Sequence, residues 1–218
     1  MADRRIFLIN PNSLEATTAM MVAIAKSAAA DSFDIAGATA TRTPTMIVSA
    51  DALEAAAPEV EEIARARSGE CDGIIVAAFG DPGLAGIKAT TKLPAVGIGE
   101  SSMLEAAENG RRFGVATTTP LLKAKIDALP DTLGLRSHYT GTRFTEGDPH
   151  ELMRDPSLLR TALAGAVEAC IAQDGAEAVI IGGGPLGEAA GALQPIFNVP
   201  VIAPIPSAVR RIIRLVGA

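Results

Sequence analysis

The chain has 218 residues, 48% hydrophobic and 20% charged, with a net charge of −6 at pH 7. That is long enough to bury one large core or two smaller ones, and no apolar run reaches the length of a membrane span. With no Trp, one Tyr and a single short basic run at Arg210–Arg214, the composition excludes the stacking platform and basic footprint of a nucleic-acid binder.

The start, MADRRIFLIN, enters a strand pattern directly and lacks the apolar region of a signal peptide. The two cysteines, Cys71 and Cys170, have no metal-ligand spacing, so a reduced, cytoplasmic setting is expected. Strand-like runs then follow in order: RIFLIN, FDIAGAT, DGIIVAAF, PAVGIG, RFGVATT, HYTGTRF, EAVIIGGG and PVIAPI. Short continuous apolar runs separated by helical patterns predict parallel strands covered on both faces. Among the helices, Leu163, Ala166, Val167, Cys170 and Ile171 form one apolar stripe, which makes Cys170 a packing residue. Cys71 opens a strand just before Asp72 and reads the same way. Asn12 with Glu15, Thr119 before Pro120, and Ser102 with Glu105 have helix-capping spacing. Asp81 before Pro82 reads as a cap followed by Pro at the first helical position. A last helix is predicted over 207–215, returning to the first half of the molecule.

The two halves repeat each other. RIFLINPNS pairs with RRFGVATTTP, CDGIIVAAFGDPG with AEAVIIGGGPLG, and LPAVGIGES with VPVIAPIPS, at an offset of about 106 positions. The predicted fold is α/β: two similar lobes, each a mostly parallel four-stranded sheet flanked by helices, pseudo-two-fold related with a cleft between. The first lobe is expected to span 1–98 plus 206–218 and the second 99–205. Open parallel sheets bind ligands beyond the carboxyl ends of their strands. The segments expected to form the site are therefore the loops 10–13, 78–83, 99–102, 117–120, 182–188 and 204–207.

Those loops carry a resemblance. INPNS, FGDPGL, VGIGES and RRFGVATTTP, in that order over nearly the whole chain, resemble the aspartate/glutamate/hydantoin racemase superfamily, most of all its hydantoin and allantoin racemase branch. The resemblance implies a cofactor-independent enzyme, a homo-oligomer, and a small-molecule substrate held between two cysteines, one per lobe, that exchange the α-proton. The first cysteine would stand before the Phe of FGDPG, where this chain has Ala78. The second would stand in a Gly-Cys-Ala-Gly-Met-like turn, where this chain has GGGPL and Gly183. Arylmalonate decarboxylases, similar in fold, keep the second thiol; this chain keeps neither. Two-base racemisation needs a titratable group on each face of the stereocentre, and Ala78 and Gly183 supply none. The coherent GGGPLG turn points to a natural thiol-free subgroup rather than to a single engineered Cys-to-Ala change.

What remains at these turns is backbone and space. Phe79–Gly80 and Gly183–Gly184–Pro185 precede helix starts, whose N–H groups suit a carboxylate, an imide oxygen or an oxyanion. Ala78, Phe79, Gly80, Gly183, Gly184 and Pro185 are accordingly the expected substrate cradle. Asn10 at its strand tip, with Thr117 and Thr118 at the equivalent tip, resembles the family's contacts to a substrate carbonyl or carboxylate. Glu100, beside the presumed capping box, is the candidate general base. Glu188, in the first turn after GGGPL, either borders the site or complements the helix dipole. Neither histidine belongs to a motif: His150 reads as exposed, and His138 lies with Tyr139 on an edge strand. Nothing requires a metal or nucleotide. Three readings follow: thiol-independent hydrolysis or lyase/isomerase chemistry on a small amide, ureide or carboxylate; a catalytically silent binding protein; and a racemase using Glu100 and Glu188.

Overall fold

The computed structural model describes residues 4–29 and 33–217; positions 1–3, 30–32 and 218 of the expected lobes lie outside them. Eight strands form two parallel sheets of four. The first contains β1 (Arg5–Asn10), β2 (Asp34–Thr39), β3 (Gly73–Val76) and β4 (Ala95–Gly97), in the order β2-β1-β3-β4. The second contains β5 (Phe113–Thr117), β6 (Tyr139–Phe144), β7 (Ala178–Ile181) and β8 (Val201–Ile202), in the order β6-β5-β7-β8. The second order is the first shifted by four strands, as the internal repeat predicts. Asn10 and Thr117 close β1 and β5, and Ala78 and Gly183 each follow β3 and β7 by two residues.

The strands β3, β5 and β7 are buried at every residue. Their sequences, GIIV, FGVAT and AVII, carry no charge and suit parallel strands with helices on both faces. The edge strand β6 is half-buried throughout and carries Tyr139, Thr140 and Thr142. The helices are α1 (Glu15–Ala29), α2 (Ala50–Arg67), α3 (Leu84–Thr90), α4 (Ile98–Ala106), α5 (Lys123–Thr132), α6 (Pro149–Leu152), α7 (Pro156–Ala172), α8 (Gly187–Leu193) and α9 (Pro204–Gly217). On α7, Leu163, Ala166, Val167 and Cys170 form the buried stripe that their spacing predicts.

The terminal helix α9 packs on α1, α4, β3 and β4. Its Ala208, Val209 and Ile212 join Ile6, Leu8 and Met21 in one core. Full burial of a side chain such as Ile212 contributes about 1.5–3 kcal/mol. The helix begins at Pro204 rather than at 207, because Pro204 and Pro206 fall in the first turn, where a missing N–H costs little. PIPS is thus helix, not loop.

GESS is not a loop either. α4 begins at Ile98, directly after β4, and its cap comes from a distant segment. Asp81 accepts from the amides of Gly99 (2.8 Å) and Glu100 (2.6 Å). Asp81 therefore caps α4 and not the helix that follows it in sequence. α3 starts only at Leu84, preceded by Gly83 at φ 76°. The expected capping box also dissolves: the Ser102 hydroxyl donates to the carbonyls of Ile98 (2.7 Å) and Gly99 (3.0 Å) inside α4, and Glu105 pairs with Arg210. Thr119 makes no side-chain cap on the turn Pro120–Leu122.

Candidate functional site

The carboxyl ends of β1, β3, β5 and β7 open onto one cavity of about 450 Å³, lined by Asn12 and Leu14, Ala77–Phe79, Thr118 and Thr119, and Gly182–Leu186. That volume is ordinary for a small-molecule site. Ala78 and Gly183 both line it. The turns that carry them approach closely: a Cβ on Gly184 would lie 3.0 Å from the Ala77 carbonyl oxygen and 2.7 Å from Met21 Sδ. Glycine allows this separation without displacing either neighbour.

Much of the remaining wall is apolar, from Met20, Ile47, Leu53, Leu122 and Met153. The polar interest lies in the main chain. Ala77 N–H donates to Ile9 O and Gly182 N–H to Ala116 O, both at 2.8 Å, which continues the sheets. Beyond them, the amides of Ala78, Phe79, Thr118, Thr119, Gly183 and Gly184 have no acceptor among the described residues. All six residues line the cavity. Buried amides are nearly always paired, so a group of this kind at a cavity wall is suited to a carbonyl oxygen or an oxyanion.

The expected substrate contacts divide into two groups. Ala78, Phe79, Thr118, Gly183, Gly184 and Pro185 line the cavity; Asn10, Gly80 and Thr117 do not. Asn10 is fully buried behind the wall, donating to Thr18 Oγ1 (3.0 Å) while its Oδ1 accepts from the Asn12 main chain and side chain (both 3.0 Å). Asn12 in turn accepts from Ile47 N–H at 2.7 Å, so it braces the loop after β1 across to Ile47. The Thr117 hydroxyl donates to Gly182 O at 2.5 Å and fixes the second turn. Gly80, at φ 113°, leaves room for Leu53, whose Cδ2 would sit 2.6 Å from an added Cβ.

The two carboxylates expected at the cleft lie elsewhere. Glu100 is buried in the first turn of α4 and holds Lys88 Nζ at 2.8 and 3.0 Å, with Arg211 Nε at 3.8 Å. It does not line the cavity, because the cap from Asp81 starts the helix early and turns Glu100 toward α3 and α9. Glu188 is exposed in the first turn of α8 and is also absent from the lining. The thiols are remote as well. Cys170 is buried on α7, donates to Val115 O at 3.7 Å, and burial pushes its pKa up to about 12. Cys71 is partly buried, and burial raises its thiol too.

Two side chains that the sequence did not single out do line the cavity: His150 on α6 and Arg154 in the link to α7. Among the described residues that line the cavity, they are the only ionisable ones. Both are exposed, whereas Ala78, Thr118 and Gly184 are buried, so they stand at the mouth and the turns at the floor. No sequence signal marked them beyond the EGDPHEL turn, since the cavity is reached by the fold and not by a local pattern. Among the described residues no group of three His, Cys, Asp or Glu side chains is placed to hold a metal ion.

The chain is 31% identical over 207 residues to a hydantoin racemase of Pseudomonas sp. (strain NS671), covering 94% of this chain and 83% of that protein. It is 31% identical over 216 residues to a hydantoin racemase of Rhizobium meliloti, covering 98% and 89%. The solved structure of allantoin racemase from Klebsiella pneumoniae matches with a TM-score of 0.92 at 28% identity, over 99% of this chain and 88% of that one. The pattern of the Asp/Glu/Hydantoin racemase family matches residues 6–212, and the chain belongs to that family.

Proposed function

We propose that this chain is a thiol-independent enzyme of the family, hydrolysing a small amide, ureide or carboxylate derivative in the cleft without a cofactor. The observation that supports this reading is the set of six acceptor-free amides from both sheets on one cavity whose only ionisable base near neutral pH, among the described residues, is His150. Racemisation by Glu100 and Glu188 has no such support, since neither carboxylate lines the cavity. The hydantoin and allantoin racemase names of the relatives fit a ureide carbonyl as the group the amides receive.

In the proposed reaction the floor amides polarise the substrate carbonyl. His150 takes a proton from a water as its oxygen bonds to the carbonyl carbon. The amides hold the oxyanion; loss of one such donor typically costs about 10²–10³ in rate. The C–N bond then breaks and the proton passes from His150 to the departing nitrogen, giving an acid and an amine. One observation favours a second reading, a silent binding protein: the His150 ring has no hydrogen-bond partner to orient it among the described residues, and a catalytic base is ordinarily so oriented.

A panel of hydantoins, allantoin, ureido acids and amides incubated in H₂O and D₂O separates the readings. Gain of one water, abolished in His150→Gln, is the expected result. Binding without mass change would establish the silent binder, and deuterium uptake with inversion would restore racemisation. The same reading carries a homo-oligomer in the cytoplasm, with light scattering as its check.

A further inference from the structure

We infer that the cleft selects ligands bearing a carboxylate at one end and an amide or ureide carbonyl at the other, and that Arg154 reads the carboxylate. This rests on the proposed function, which places the carbonyl on the floor amides, and it adds the ligand's second group. Among the described residues no acidic side chain lines the cavity, so none there offsets the charge of Arg154. Arg136, Arg143 and Arg210 each hold a carboxylate; Arg154 has none within 4.0 Å among the described residues.

The acids beside it in sequence are occupied by helix caps. Asp148 accepts from the amides of His150 (2.8 Å) and Glu151 (3.1 Å), and Asp155 from Ser157 (2.9 Å) and Leu158 (3.1 Å). Glu151, the next residue on α6, does not line the cavity. A guanidinium fork matches a carboxylate through two parallel hydrogen bonds, and a positive rim over a weakly polar cavity concentrates anions there. Met20, Leu53 and Met153, also on the cavity wall, suit an uncharged ligand body.

The test compares N-carbamoyl-phenylalanine with its primary amide by calorimetry on the full chain. The two have nearly the same shape, and only one is charged. The acid is expected to bind at least about tenfold tighter, with the gap narrowing as salt rises. Arg154→Gln brings the acid to the amide's affinity and leaves the amide unaffected. Equal affinities in the wild type, or an Arg154→Gln variant that weakens both ligands alike, overturn the inference. Failure of the acid to bind also overturns it, while turnover of an uncharged hydantoin would leave the proposed function standing. Hydrogen exchange places the ligand: the acid slows the amides of 78–79, 118–119 and 183–184. Binding without that protection overturns the cleft reading and the inference with it.

Discussion

Asp81→Asn removes a buried charge while nearly preserving the shape of the side chain. Asp81 is 8% exposed, accepts two amide hydrogen bonds at the start of α4, and adopts φ 51°. Burial raises its pKa to about 7, against the lowering effect of the Glu100 and Gly99 amides; the Glu100 charge adds to the rise and Lys88 opposes it. The folded value lies above the unfolded one, so the native state binds this proton more tightly than the unfolded state does. The resulting stability is complete below about pH 4 and is lost as pH rises through about 7. A shift of about three pKa units corresponds to a change on the order of 4 kcal/mol. The Asp81→Asn variant cannot titrate there. It forfeits one acceptor, a constant cost of about 1 kcal/mol, and its stability gains on the wild type between about pH 4 and pH 8. Urea denaturation of both proteins across that range measures the difference directly. A gap that stays constant, or a wild type that gains on the variant as pH rises, would refute the reasoning. It would mean that the two amides and the α4 dipole keep the carboxylate ionised throughout.

Further outcomes follow from the cavity walls. Gly183→Cys returns a thiol to the second turn but meets φ 154° and places Cβ 3.0 Å from Leu186 Cδ1; a loss of about 1–3 kcal/mol is expected by thermal melting. Gly184→Ala drives a methyl against Met21 and the Ala77 carbonyl, costing about 1–3 kcal/mol and lowering ligand affinity by calorimetry as the turns separate. Asn10→Ala strips the partners of Asn12 and Thr18, with about 1–3 kcal/mol lost and a rise in KM or Kd as the loop after β1 loosens. Glu100→Gln leaves Lys88 and Arg211 short of a counter-charge and costs about 1–2 kcal/mol, reduced from the fully buried case by the exposure of Lys88. Its ligand affinity is expected to match the wild type; a large loss of turnover at unchanged stability would return Glu100 to the mechanism.

Local patterning along the chain already marks the eight strands found among the described residues, their grouping by a repeat, and the turns that end them. These are local matters: a run such as EAVIIGGG states in adjacent residues both a buried strand and the glycine turn beyond it. The placement of Ala78 opposite the glycine turn was legible for the same reason, since both follow the third strand of their repeat unit. What the polar side chains do follows from contacts between segments far apart in sequence. Glu100 looked available because its partners, Lys88 and Arg211, lie on α3 and α9. Asp81 caps a helix 18 residues away, and Asn10 and Thr117 brace loops instead of facing ligand. His150 and Arg154 reach the mouth through the link between β6 and α7, a position with no periodicity to betray it. Hydrophobic patterning is written along the chain, whereas a charge or hydrogen-bond donor takes its role from whichever group the folded chain brings within about 3 Å.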